Sequence, residues 1–280
     1  MPHADSGHGR VDVDYVACLR MGLTGALGAI PGTLCAHPLD VFKIRMQTTP
    51  NTTYRQAAAH ITTTAGGYHG FYRGLMPAIQ QRCIARFPMF FLSEAFTQTV
   101  ERTTSLEGAQ ARFVGSVGSG YTTGVLAALA EYRKKLLSQG VVGVAEAHPA
   151  SIVRSAIASG HRRSLLRRVH AAGICSAVYD SFFFTTELHL HDHRGWAAGY
   201  SYGGAAATAV VAAYVWDTAV ARLMVVPPSK PVAGIFSTVA NLVRDGKILG
   251  AFSGLRARVC EFGVSYAITG VVGVLVKRAM

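Results

Sequence analysis

Pro38-Leu-Asp-Val-Phe-Lys-Ile-Arg-Met-Gln47 closes a run without formal charge that extends from Met21 to Leu39. Proline stands where a membrane-length helix is expected to kink. An acid, Asp40, follows two residues later, then Lys43, Arg45 and Gln47 on alternate positions. Charges gathered at the end of an apolar helix are costly unless they face protein or water and find partners. This stretch therefore predicts a buried or cavity-lining polar layer at the end of a span.

Composition points the same way. Half of the 280 residues are hydrophobic and 15% are charged, against about 25% charged in soluble domains. Charge-free runs cover 21–39, 113–130 and 195–216, and about 20 apolar residues cross a bilayer. The chain reads as a polytopic membrane protein. Its net charge of +12 lies largely outside the apolar runs, which suits anionic lipid headgroups. No basic helix interleaved with aromatics is present, so nucleic acid is not expected as a partner. The five cysteines (Cys18, Cys35, Cys83, Cys175 and Cys260) form no metal-ligand spacing and read as reduced, small core residues. No secretory signal is expected, and Asp5, Asp12 and Asp14 argue against an Arg-rich transit peptide.

The decisive stretch recurs in weakened form. Asp40 is followed 91 residues on by Glu131 and 86 further by Asp217. Gly74 is followed 93 residues on by Arg167 and 87 further by Gly254. Two markers with nearly one spacing predict three repeats, over 15–103, 110–192 and 195–280, within a single domain of 1–280. The first apolar helix of each repeat carries glycines: Gly22, Gly25, Gly28 and Gly32; Gly115, Gly118, Gly120 and Gly124; Gly199, Gly203 and Gly204. Such spacing lets helices approach closely in lipid. Short surface helices are expected at 54–64 and 151–159.

The pattern resembles the signature P-x-[DE]-x-x-[KR]-x-[RK]-x-Q of the mitochondrial carrier family. All five positions match in Pro38–Gln47. Repeat two keeps Glu131 and Lys134, and repeat three keeps Asp217 and Arg222. Gly66 to Gly74 and Asp245 to Gly254 resemble the family's second motif. The resemblance covers about Tyr15 to Lys277. It implies an all-α membrane protein with six tilted transmembrane helices around a pseudo-threefold axis, short helices on the matrix side, and both termini facing the cytosol.

The resemblance also implies roles. In a matrix gate, acids of one repeat pair with the basic residue of the next: Asp40 with Lys134, and Asp217 with Lys43. Glu131 would face Val220 and need Arg222 or water instead. Gln47 would brace one bridge. A cytosolic gate would draw on Glu94, Glu187 and Lys277, with a Glu187–Lys277 bridge. Its aromatic positions hold Ser93, Thr186 and Gly273, so this gate is expected to be weak and the resting population biased towards the cytosol-open form. Substrate contacts would come from Gln81, Arg82, Ile174, Cys175 and Glu261, with Arg86 and Arg258 nearby. Asp180 is a mid-span acid off these positions and has no assigned role. Cardiolipin would sit at helix starts around Arg73, Gly74 and Gly254, and Arg162, Arg163, Arg167 and Arg168 suit either that anionic surface or a solvated loop.

No catalytic constellation, cofactor motif or resident metal site is expected. The run His189-Leu-His-Asp-His193 reads as a polar loop between spans, with metal binding the less favoured alternative. The expected function is mitochondrial inner-membrane transport by alternating access, by a monomer, of a small carboxylate-bearing metabolite. That substrate would be an oxo- or dicarboxylate, or an amino acid whose ammonium meets Glu261. A carrier-like scaffold without transport is the alternative reading.

Overall fold

The computed structural model describes residues 13–49, 52–64, 67–138, 147–244, 252 and 254–279. Among them all regular structure is helical. Six long helices dominate: α1 (Tyr15–Thr48), α3 (Leu75–Thr103), α4 (Gly108–Ser138), α6 (Arg162–Leu188), α7 (Ala198–Met224) and α9 (Leu255–Ala279). Short helices α2 (Tyr54–Thr64), α5 (Pro149–Ala158) and α8 (Ile235–Arg244) follow α1, α4 and α7. Each long helix packs on two others, in the cyclic order α1, α3, α4, α6, α7, α9 and back to α1. The six thus close a ring. The three short helices lie near the ends of α1, α6 and α7.

Local chemistry sets the helix ends. Asp14 accepts hydrogen bonds from the N–H groups of Val16 and Ala17, each 3.0 Å, and so caps α1. Pro31 and Pro38 lie inside α1, which stays helical through both. Gly74 and Gly254 take φ values of +81° and +83° immediately before α3 and α9, a left-handed turn that glycine adopts without steric cost. In the middle repeat that turn is at Gly160, φ +74°. The marker residue Arg167 therefore lies inside α6, which begins earlier relative to its marker than α3 and α9 do.

Helix contacts depend on small residues. A Cβ at Gly124 would stand 2.6 Å from the carbonyl oxygen of Ala172, and one at Gly32 would stand 2.7 Å from that of Ser265. The backbones of α4 and α6, and of α1 and α9, meet at these points.

The distribution of side chains is inverted relative to a water-soluble bundle. Leu19, Leu27, Ile30, Leu34, Phe113 and Leu126 are exposed on the outside, whereas Asp40, Lys43, Arg82, Arg86, Lys134 and Glu261 are buried. Apolar residues outside and paired charges inside fit a hydrocarbon surround. Among the described residues three helices, Gly108–Leu137, Ala198–Met224 and Leu255–Val276, are long and apolar enough to cross a membrane.

The basic tract of the middle repeat divides. Arg168 is not a lipid-facing or solvated residue. It is 1% exposed, and its guanidinium donates to the carbonyls of Leu223, Val226, Pro227 and Lys230. It thereby caps the end of α7, where orphan carbonyls and the helix dipole favour a cation. Arg167 donates to the Val232 carbonyl at 2.8 Å. The histidine run forms a single π-helical turn, His189–His193, in which His191 Nδ1 lies 2.8 Å from Asp192 Oδ1.

Candidate functional site

The stretch Pro38–Gln47 forms the last turns of α1, and its charged face points into the ring. Asp40 is 1% exposed and forms an ion pair with Lys134 of α4. Lys43 Nζ lies 3.0 Å from Asp217 Oδ2 on α7. Gln47 Nε2 donates to the same oxygen at 2.9 Å and to Thr218 Oγ1 at 3.3 Å. Two ion pairs therefore cross between repeats at one end of the ring. The glutamine holds a lone pair of Asp217 that Lys43 alone would leave free.

Glu131 corrects the expectation attached to it. It pairs with neither Arg222 nor water as its principal partner but with Lys135, four residues along its own helix, at 2.8 Å. Spacing of i,i+4 brings the two onto one face. Val220 opposite offers no charge, so the local lysine takes the acid. Arg222 makes no ion pair among the described residues.

Arg258 of α9 supplies a further link. Its Nη2 lies 3.1 Å from Asp217 Oδ1, and its Nη1 lies 2.8 Å from Glu261 Oε2 and 3.9 Å from Asp40 Oδ1. Arg82 of α3 pairs with Glu261 from the other side and lies 4.0 Å from Asp40. The network thus runs Asp217, Arg258, Glu261, Arg82, Asp40, and ties α7, α9, α3 and α1 together. Buried charges are tolerable when each finds partners in this way. Sequence spacing places Arg258 and Glu261 one turn apart. It does not reveal that Arg258 also reaches Asp217.

A cavity of about 120 Å³ lies against this network. Gln81, Arg82, Arg86, Cys175 and Arg258 are on its wall, as are Lys43, Glu131, Lys134 and Asp217. Two expected contact residues are elsewhere. Ile174 packs against the apolar cluster around Tyr132, Ile152 and Leu223. Glu261 is fully buried behind the wall and held by both Arg82 and Arg258, so it cannot serve as a free acceptor for a substrate ammonium. Arg86 donates to Thr269 Oγ1 at 2.5 Å and to Ser265 Oγ at 2.6 Å. Its guanidinium carbon sits 4.0 Å from the Tyr266 ring centroid, and that of Arg258 sits 3.7 Å from the Phe262 ring centroid. An aromatic face and two hydroxyls hold Arg86 in place without neutralising it, whereas Arg258 stacks on its ring while paired with Asp217 and Glu261.

An aromatic layer lies along the helices beyond Arg86, away from the ion pairs. Phe90 of α3 meets Phe184 of α6 at 5.4 Å and Tyr202 of α7 at 5.8 Å between centroids. Phe183 of α6 meets Tyr266 of α9 at 4.8 Å. The rings bridge four walls of the bundle. Position 90 is one turn before the aromatic position expected at Ser93, so motif register concealed it.

Farther along α3, Glu94 forms an ion pair with Arg112 of α4 at 2.9 Å. The side chain of Lys277, and hence the expected bridge to Glu187, lies outside the described residues. Most of the stretch Asp245 to Ser253, and Gly66, lie outside them too. Arg73 offers its carbonyl to His37 Nε2 at 3.2 Å, which fixes the turn before α3 against α1. Among the described residues no three metal-ligating side chains are grouped.

Residues 16–104 match the family model described as mitochondrial carrier protein. The chain is also 26% identical over 292 residues to mitochondrial thiamine pyrophosphate carrier 1 of Neosartorya fischeri, an alignment covering 88% of this chain and 89% of that protein.

Proposed function

We propose, from the premise that this chain is a divergent member of the mitochondrial carrier family, that it moves a small anionic metabolite across the mitochondrial inner membrane by alternating access. The observation that carries the reading is the cavity wall: Arg82, Arg86 and Arg258 face one space within a closed ring of helices. Guanidinium groups bind carboxylate and phosphate oxygens through paired, charge-assisted hydrogen bonds. A substrate with a carboxylate suits them, whether oxo-acid, dicarboxylate or amino acid.

On this reading all six long helices cross the membrane as three related pairs. The layer of Asp40, Lys43, Gln47, Lys134 and Asp217 closes the cavity on the matrix side. The network suggests how occupancy opens that closure. An anion that engages Arg258 and Arg82 competes with Asp217 and Asp40 for the same guanidinium protons. Its binding energy is then spent in weakening the cross-repeat ion pairs, which shifts the population towards a matrix-open form. Cardiolipin phosphate at the backbone N–H groups that follow Gly74 and Gly254 would anchor the helix starts.

Uptake of labelled solutes by purified protein in liposomes tests the reading, with a panel of oxo-acids, dicarboxylates, amino acids and thiamine pyrophosphate. Saturable uptake of at least one carboxylate, reduced at least about tenfold by Arg86→Ala, is expected; the loss of one charge-assisted contact is of that order. Absence of any saturable uptake overturns the transport reading in favour of a scaffold.

A second reading is thiamine pyrophosphate itself, named by the relative. Tyr179, Phe262 and Tyr266 line the cavity beside the arginines, and aromatic faces suit a ring joined to a diphosphate. Saturable uptake of that compound alone from the panel would select it.

A further inference from the structure

Four carboxylates at or behind the cavity, Asp40, Glu131, Asp217 and Glu261, each have a cation within ion-pair distance. Asp180 does not. It lies on α6, lines the same cavity, is 2% exposed, and its Oδ2 has no hydrogen-bond partner among the described residues. Its Cβ faces α4 at Gly120, where an added Cβ would meet it at 3.0 Å. One turn along α4 from Gly120, Thr123 also lines the cavity. It is 4% exposed, and its Oγ1 likewise lacks a partner among the described residues. Two orphaned acceptors thus face one space from adjacent helices. Leaving a buried carboxylate unpaired is costly, and buried polar groups are otherwise almost always satisfied.

The lysines of the cavity, Lys43, Lys134 and Lys135, are paired with Asp217, Asp40 and Glu131, and its arginines lie on other elements. Arg82 and Arg86 come from α3 and Arg258 from α9, and each already has partners. The wall is therefore divided: guanidinium groups on α3 and α9, unclaimed oxygen acceptors on α4 and α6. A ligand that fits both parts carries an anion at one end and a positively charged nitrogen or strong N–H donor at the other.

We propose that Asp180 and Thr123 form the cavity's subsite for a protonated amine of the transported solute. This deepens the transport reading above and moves the ammonium partner from Glu261, which two arginines occupy, to Asp180. An ammonium offers three donors, enough for Asp180 Oδ2 and Thr123 Oγ1 together. Affinity for such a solute exceeds that for the same molecule without its amine, because the latter leaves the carboxylate buried and unmatched.

The test uses matched pairs: aspartate with succinate, glutamate with glutarate, alanine with propionate, and norleucine with hexanoate. Two readouts are made on the full chain. Dissociation constants come from shifts of the thermal unfolding midpoint in detergent, and transport comes from uptake into liposomes. The wild type is expected to bind the amine-bearing member of at least one pair at least about tenfold more tightly, the worth of one charge-assisted contact. Asp180→Asn should abolish that preference without lowering affinity for the amine-free member, and should leave the solute-free midpoint equal or higher. Thr123→Val should weaken the preference in the same direction, and Asp180→Glu should keep part of it.

The proposal is overturned if the wild type shows no preference in any pair, or if Asp180→Asn retains it. It is equally overturned if Asp180→Asn lowers affinity for both members alike, or unfolds the protein while Thr123→Val keeps the full preference. The two readings fail separately. Amine preference in the midpoint shifts without uptake of any solute would sink transport and leave the subsite standing.

Discussion

Asp217 collects three side chains at once: Lys43 at 3.0 Å, Gln47 at 2.9 Å and Arg258 at 3.1 Å. Its loss strands Lys43 and leaves Arg258, still held by Glu261, beside it without the carboxylate between them. Removing one partner of a buried ion pair costs about 3–5 kcal/mol, so Asp217→Asn is expected to lower the unfolding midpoint more than Lys43→Met, which strands no second charge. Thermal unfolding of the two purified variants decides it; equal midpoints would contradict the shared role of Asp217. The exchange Lys43→Asp with Asp217→Lys restores attraction across α1 and α7 but places an ammonium near Arg258. It should recover only part of the wild-type stability. Much of this layer is legible in the sequence, because recurring acids at nearly constant spacing mark equivalent positions on successive helices. What escapes is any contact that leaves that register. Lys135 takes Glu131 because it lies one turn away, and Arg258 reaches Asp217 from an unrelated motif position.

At the scale of the helix, contacts rest on absent side chains. The Cβ of Gly124→Ala would meet backbone at 2.6 Å, whereas at Gly203 the nearest atoms are 3.3 Å and 3.4 Å away. Backbone cannot yield as a side-chain tip can, so Gly124→Ala should markedly reduce the yield of folded protein and Gly203→Ala should leave it near wild type. Size-exclusion profiles after purification compare them directly. A second element-level test concerns α7, whose last carbonyls Arg168 caps. Arg168→Met removes its donors to the Leu223, Pro227 and Lys230 carbonyls and leaves Val226 to the Tyr132 hydroxyl, so it should destabilise by about 1–3 kcal/mol, while Arg162→Met, on an exposed residue of the same tract, should change little. Chemical denaturation of both variants reads the difference. The close approaches of helices are legible in the spacing of the glycines alone. The division of the arginine tract is not, because four arginines in seven residues look alike in sequence and only packing buries one of them.

For the molecule as a whole, the ring closes within one chain, since α9 returns to α1. No second chain is needed to complete the cavity, and transport should follow the single chain. Mixing active protein with an inactive variant at fixed total amount should lower liposome uptake in proportion to the inactive fraction; a steeper fall would show that chains act together. The glycine seams and the inward charge layer follow from sequence pattern, whereas six long helices are what the family resemblance implies. The shape of the interior does not, because it depends on which side chains meet across the ring from distant repeats.

The two layers that flank the cavity are of different substance, salt on one side and stacked rings on the other. An inner mitochondrial membrane holds a large voltage, and any pore through it would discharge that voltage as current. Salt layers respond to ionic strength and field, because their members carry charge. The layer built from Phe90, Phe183, Phe184, Tyr202 and Tyr266 carries none. Rings without formal charge give a small ion little to pair with inside that layer. If the transport reading proposed above holds, opening one layer at a time would let a cargo pass while the other layer keeps the membrane insulated.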